Sequence, residues 1–194
     1  MQTLCERITE HSAKLPEGTP VSAKELLHLG GRAAVDQALS RLARRGTLLR
    51  VRRGMYVQPV ETKFGTRTPS VSRIVEAFAR LRGETIARHG SAAANELGLT
   101  TQVPVRSVYL TSGPSGILKV GAQSVELKHA PPKQLSKPGE PAGEAIRAMI
   151  YLGRGHAHSV LKKLSKTEIQ NVMSLRTALP ESLAEEVSAF PLHA

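Results

Sequence analysis

Between Arg32 and Pro59 the hydrophobic period of the chain changes once, and that change limits the folds open to it. In RAAVDQALSRLARRG, Val35, Ala38, Leu39 and Leu42 stand at i, i+3, i+4 and i+7, one apolar face of a helix that Gly46 closes. In TLLRVRRGMYVQP the pattern becomes that of two short strands rich in Leu, Val and Tyr. Arg53-Gly54 marks the turn between them and Pro59 the end of the second. A one-faced helix followed at once by a hairpin needs further elements to complete its core.

The residues upstream supply them. QTLCERITEHSAK places Leu4 and Ile8 on one side of a helix, and the prolines and glycine of LPEGTP end it. VSAKELLHLGG opens with Ser22 and Glu25 at capping-box spacing and stops at Gly30-Gly31, a short second helix. Helix, short helix, turn, longer basic helix and hairpin is the order of a winged helix-turn-helix, expected over residues 1–60.

Residues 61–70 are polar and without period, and read as a linker. The rest, 71–194, is expected to form a C-terminal α/β domain. A helix over 71–82 carries Val71, Ile74, Val75, Phe78 and Leu81, and SAAANELG reads as a short helix capped by Ser91 and stopped by Gly98. VPVRSVYLTSG, GILKVG and QSVELKHA read as three strands of an antiparallel meander. The Pro-, Gly- and Lys-rich PPKQLSKPGEPAGE reads as an exposed loop. Helices follow at 144–152, 156–164, 166–178 and 181–189, the last begun by Pro180. The expected class is therefore α+β: an N-terminal winged helix-turn-helix, then a domain with a small antiparallel sheet and several helices.

Charge points to a partner. The chain holds 27 Lys and Arg against 16 Asp and Glu, a net charge of +11, which favours a polyanion. Six of the arginines fall within SRLARRGTLLRVRRGMYV, a stretch with no acid. In a helix-turn-helix the second helix enters the major groove with its N-terminal half at the base edges. That assigns base reading to Arg32, Gln37, Ser40 and Arg41, since Arg matches guanine and Gln matches adenine in the major groove. Arg44, Arg45, Arg50, Arg52 and Arg53 would hold phosphates or the minor groove. The competing reading is a basic protein-interaction module.

Catalysis finds little support. The single Cys5 excludes an intramolecular disulfide and a multi-cysteine zinc site. Glu126 and Lys128 have the spacing of half a metal-dependent nuclease site, but no acid lies between Leu97 and Val125 to share the cation. His156 and His158 are two apart, a poor chelating pair on a helix; on an extended segment they could share a face, with His129 as a third ligand, but no carboxylate motif lies nearby. GPSG at 113–116 is too short to cradle a phosphate. No catalytic residue, metal ligand or cofactor is assigned. No apolar run nears the roughly 18 residues of a membrane span, and no signal peptide is evident, so a cytoplasmic protein is expected.

Two segments, GGRAAVDQALSRLARRGTLLRVRRGMYVQP and RHGSAAANELGLTTQVPVRSVYLTSGPSGILKVG, are similar to the AbiEi-like antitoxin family of bacterial toxin–antitoxin and phage-defence operons. More narrowly they resemble its branch of unknown function. The resemblance spans roughly residues 5–165. It implies an N-terminal winged helix on double-stranded DNA of the operon's own promoter, with the DNA-reading region at Arg32 to Arg45 and Arg50 to Arg53. It also implies a C-terminal domain that counteracts a nucleotidyltransferase-like toxin.

Overall fold

Thr3 and Glu6 cap the first helix reciprocally: Thr3 N donates to Glu6 Oε2 at 2.8 Å, and Glu6 N donates to Thr3 Oγ1 at 3.3 Å. The structure, a computed structural model, describes residues 2–101 and 106–191. The chain divides into two compact units, Met1–Glu84 with Gly116–Glu126, and Thr85–Ser115 with Leu127–Ala194. It is α+β throughout, as its periods predict.

The first unit runs α1 (Leu4–Ala13), β1 (Pro20–Val21), α2 (Arg32–Arg44), β2 (Leu49–Arg52), β3 (Met55–Val57), β4 (Val60–Thr62), β5 (Gly65–Arg67) and α3 (Val71–Arg82). α2 forms where its apolar face predicts, and Val35, Ala38, Leu39 and Leu42 are buried with Ile8, Leu26, Leu48 and Tyr56. β3 is the centre of a three-stranded antiparallel sheet, β1-β3-β2. Gly54 supplies the turn between β2 and β3 with φ of +74°, a conformation other residues rarely adopt.

Two expectations for this unit are corrected. Residues 23–29 form successive turns instead of a regular helix. Ala23, Leu26 and Leu29 face inward at a spacing of three, and Leu29 N donates to Leu26 O, the tighter periodicity of a short segment that never propagates an α-helix. Ser22 N and Oγ both donate to Glu25 Oε2, at 2.6 and 2.7 Å, so Glu25 closes the turn. The stretch 61–70 is no plain linker. β4 and β5 pair as a hairpin, Val60 opposite Arg67 and Thr62 opposite Gly65, and α3 beyond them still belongs to the first unit.

Glu17 holds the base of that hairpin. Arg67 donates to it through Nη1 at 3.0 Å and Nη2 at 3.3 Å, Ser70 N donates to Oε1 at 3.2 Å, and Arg73 Nε stands 3.7 Å from Oε2. The Arg67 hydrogen bonds first, then the Ser70 amide, hold the Glu17 carboxyl below the usual carboxylate range.

In the second unit β6 (Ile86–Arg88) pairs antiparallel with β7 (Ser107–Thr111), Ile86 opposite Thr111. β8 (Gly116–Val120) and β9 (Gln123–His129) follow in sequence. β8 belongs to the first unit, and β9 passes from one unit to the other after Glu126. β7 neighbours β6 and β9, and β8 neighbours β9, so the expected meander is replaced by a non-sequential order. The part of the first expected strand at 103–105 lies outside the described residues.

The helices of this unit are α4 (Gly90–Glu96), α5 (Pro141–Leu152), α6 (Ala157–Leu161), α7 (Lys166–Ser174) and α8 (Glu181–Ser188). α4 and α5 pack through Ala93, Ala94, Ala145, Ile146 and Met149. The cap of α4 is His89 and not Ser91: His89 Nδ1 accepts from Ser91 N at 3.2 Å. Gly90 enters the helix because a Cβ there would lie 2.1 Å from the Arg147 carbonyl oxygen. α5 begins at Pro141, three residues before its expected start. Arg147, 2% exposed, pins the preceding loop by donating to the carbonyls of Gln134 and Ser136 and to Glu144 Oε1. No helix among the described residues is long and apolar enough to cross a membrane.

Two outcomes are expected. Gly90→Ala should destabilise the second unit by about 1–3 kcal/mol or more, read by chemical denaturation, because the added carbon meets backbone that cannot yield. For Glu17 the folded pKa lies below the unfolded one. Its clamp is therefore present at neutral pH and lost as pH falls through the depressed value. Hydrogen-exchange protection factors at residues 60–67, taken relative to the intrinsic rate at each pH, should fall on such acidification, and at neutral pH in Glu17→Gln, while α2 stays protected. Unchanged exchange in the variant would show the clamp to be dispensable.

Candidate nucleic-acid interface

α2 buries one face, so its opposite face is fixed outward. Ala33, Gln37, Arg41 and Arg44 lie along that exposed stripe at spacings of four, four and three residues. Gly31 caps the helix with extended backbone and no side-chain bond, and the first turn holds no acid. Gly31, Arg32, Ala33 and Ala34 are all exposed. An open helix N-terminus carries unpaired N–H groups and the positive end of the helix dipole, and the two alanines leave it uncluttered.

The nine residues singled out from sequence have different surroundings. Arg32 is exposed but donates through Nε to Asp36 Oδ2 at 3.0 Å, one turn along. Gln37 is exposed. Ser40 is half-buried, and its carbonyl accepts a long bond, 3.5 Å, from Arg44 Nε. Arg41 is exposed, as is Arg45 at the C-cap of α2. Arg50 and Arg53 of the hairpin are exposed too. Among the described residues Arg41, Arg45, Arg50 and Arg53 make no ion pair.

Arg52 differs. The register of β2 against β3 shifts between Arg50 and Arg52, and a bulge of this kind re-aims the side chains beside it. Arg52 is half-buried, its Cζ lies 5.9 Å from the centroid of the Phe78 ring, and a Cβ built on Gly116 would meet its Nη2 at 3.4 Å. Arg82 approaches the same ring at 5.3 Å. The expectation that Arg52 faces out beside Arg50 and Arg53 is thus corrected: it packs within its own unit. The bulge leaves no mark in the sequence.

The other chemistry weighed from sequence is dispersed. Glu126 is half-buried and Lys128 exposed, both on β9. His129 Nδ1 is 3.0 Å from Gly113 O, His156 Nδ1 is 3.1 Å from Arg154 O, and the His158 ring tilts against Phe190. Among the described residues no group of three His, Cys, Asp or Glu side chains could hold a metal ion.

These features define an α+β protein whose first unit presents an arginine-lined helix and hairpin. The chain belongs to the family of unknown function DUF6088, matched over residues 7–178. No curated protein matches it. Its fold is similar to the crystal structure of the RV2827C protein from Mycobacterium tuberculosis, with a TM-score of 0.55 and 15% identity over 96% of this chain and 76% of that one.

The two kinds of hairpin arginine should separate in stability measurements. Arg53→Ala is expected to change unfolding free energy by no more than about 0.5 kcal/mol. Arg52→Ala should cost about 0.5–1 kcal/mol by removing the cation from the Phe78 ring, and more through its stem. Equal effects would remove the distinction.

Proposed function

We propose that the first unit binds double-stranded DNA sequence-specifically in the manner of a winged helix. α2 lies in the major groove with its N-terminal half at the bases, and the β2–β3 hairpin grips the backbone or minor groove. One observation carries this reading: Arg41, Arg45, Arg50 and Arg53 are exposed on two adjoining elements with no acid paired to them. Unneutralised guanidinium groups gain affinity for phosphate through counterion release. Gln37 and Arg32 are the base readers, the latter after exchanging Asp36 for a base edge. Arg41 and Ser40 stand further along the same helix. Arg44, Arg45, Arg50 and Arg53 hold the backbone.

The resemblance of the two quoted segments to the AbiEi-like antitoxins supports a physiological setting. In it the chain is a cytoplasmic autoregulator that represses its own operon and counters a nucleotidyltransferase-like toxin, the second unit serving neutralisation. No catalytic step is assigned to it.

Binding to the duplex upstream of its own gene, measured by gel shift across a salt series, tests the DNA reading. Wild-type affinity should fall steeply with salt. Arg45→Ala or Arg53→Ala should flatten the log–log slope by about one for each phosphate no longer gripped. Arg52→Ala should leave that slope nearly unchanged. Gln37→Ala should relax the preferred sequence by about 1–3 kcal/mol at one position. A chain that captures the toxin yet shows no salt-dependent shift of this duplex would be an interaction module instead.

A further inference from the structure

Phe64 is 90% exposed, far more than Ile117 at 57% or Leu27 at 48%, the next in order among the large apolar side chains described. It sits at the turn of the β4–β5 hairpin, and that turn is built. Phe64 N donates to Thr62 Oγ1 at 3.2 Å, Thr62 Oγ1 donates to Gly65 O at 2.7 Å, and the base is clamped by Glu17 and Arg67. Yet residues 61–68 are all exposed, so the hairpin contributes nothing to the core. A two-stranded hairpin is marginal in water by itself.

We propose that β4–β5 is a second DNA-contacting arm of the first unit, in which Phe64 wedges against the base stack from the minor groove while Lys63 takes the adjoining phosphate. The proposal rests on the DNA-binding reading above. Apolar wedges of this kind, Phe among them, partly unstack a base step and bend the duplex. The Lys63 ammonium lies 5.1 Å from the Phe64 ring centroid, so one tip offers a ring and a cation together. A protein pocket would call for a wider apolar patch, whereas Phe64 is flanked by Lys63, Gly65 and threonines. Glu61, the acid on the hairpin, stands in mid-strand opposite Thr66 and accepts from Thr66 Oγ1 at 3.1 Å. Phe64 follows the last residue of β3, Val57, by seven positions, at most about 25 Å of chain, inside the roughly 34 Å of one turn of B-DNA.

The chain contains no tryptophan, so Phe64→Trp introduces a single indole at the tip. The full-length variant is titrated with a random-sequence duplex at low salt. Anisotropy of a labelled duplex reports complex formation, and indole emission with unlabelled duplex reports the tip. Quenching that parallels the anisotropy and reverses with added salt is expected. In otherwise wild-type protein Phe64→Ala should weaken binding about 5- to 150-fold, the range for removing one ring that stacks on a base. Phe64→Leu, still a wedge, should restore part of the affinity, and melting temperature should not move. Binding by anisotropy with unaltered emission, or equal affinity for Phe64→Ala, would overturn the arm and leave the DNA reading standing. Emission that responds to the toxin protein and not to the duplex would likewise overturn it, in favour of a protein partner. No binding by either signal would remove both readings.

Discussion

Burial of Val35, Ala38, Leu39 and Leu42 sets the orientation of what the first unit presents. Val35 and Leu39 are fully buried and the other two nearly so. Each buried branched aliphatic contributes about 1.5–3 kcal/mol relative to leaving it in water. Turning α2 by one residue, about 100°, would expose that seam and bury Asp36 or Arg41 against Leu26 and Tyr56. The direction of Gln37 and Arg41 is therefore decided by the leucines. Among the described residues Arg41, Arg45, Arg50 and Arg53 pair with no acid that could hold them there, and they add only mutual repulsion, screened beyond about 10 Å at moderate salt. The β2–β3 hairpin is tied to the same seam through Leu48 and Tyr56, so helix and hairpin share one anchor.

Surroundings sort the arginines more sharply than sequence position does. The Arg32–Asp36 pair is exposed on both sides, and such a pair is worth about 0–1 kcal/mol. A bidentate contact to guanine discriminates by about 1–3 kcal/mol, so in the proposed complex exchanging Asp36 for a base would be favourable and Arg32 would serve as a reader. Arg44 has even less to give up, a single long bond to Ser40. Arg52 stands the other way. Moving it to a phosphate would forfeit the Phe78 ring and its packing at Gly116 together, and that is why it belongs to the scaffold.

Much of the fold is legible in the sequence wherever one face of an element is buried. α3 falls on 71–82 as its apolar spacing predicts, and α2 and the β2–β3 hairpin follow their change of period. The β4–β5 hairpin escapes notice for the same reason in reverse: with both faces in water, its strands show no alternation. Residues 23–29 carry a capping signal, but too few residues follow it to propagate a helix. The division after Glu84, and the assignment of Gly116–Glu126 to the first unit, depend on contacts distant in sequence that no local pattern encodes. Arg147 is hidden differently. Inside α5 it reads as one more surface cation, yet it is almost wholly buried because two loop carbonyls and Glu144 meet it there. For the interface, residue types and the exposed face are legible, while the withdrawal of Arg52 and the pairing of Arg32 emerge only in the folded chain.

The fold by itself argues little about function. A backbone shared at a TM-score of 0.55 with only 15% identity means that most side chains have been exchanged while the architecture stayed, as cores allow when volume and pattern are kept. One architecture commonly serves unrelated tasks. What asks for an explanation is the set of features folding does not require. Arg41, Arg45, Arg50 and Arg53 could be replaced by polar residues with negligible loss of stability, and Phe64 could be a threonine like its neighbours. Charges that repel one another and a ring left in water are both mildly unfavourable for a protein alone. The proposed duplex would relieve both at once, its phosphates neutralising the guanidinium groups and its base stack covering the ring.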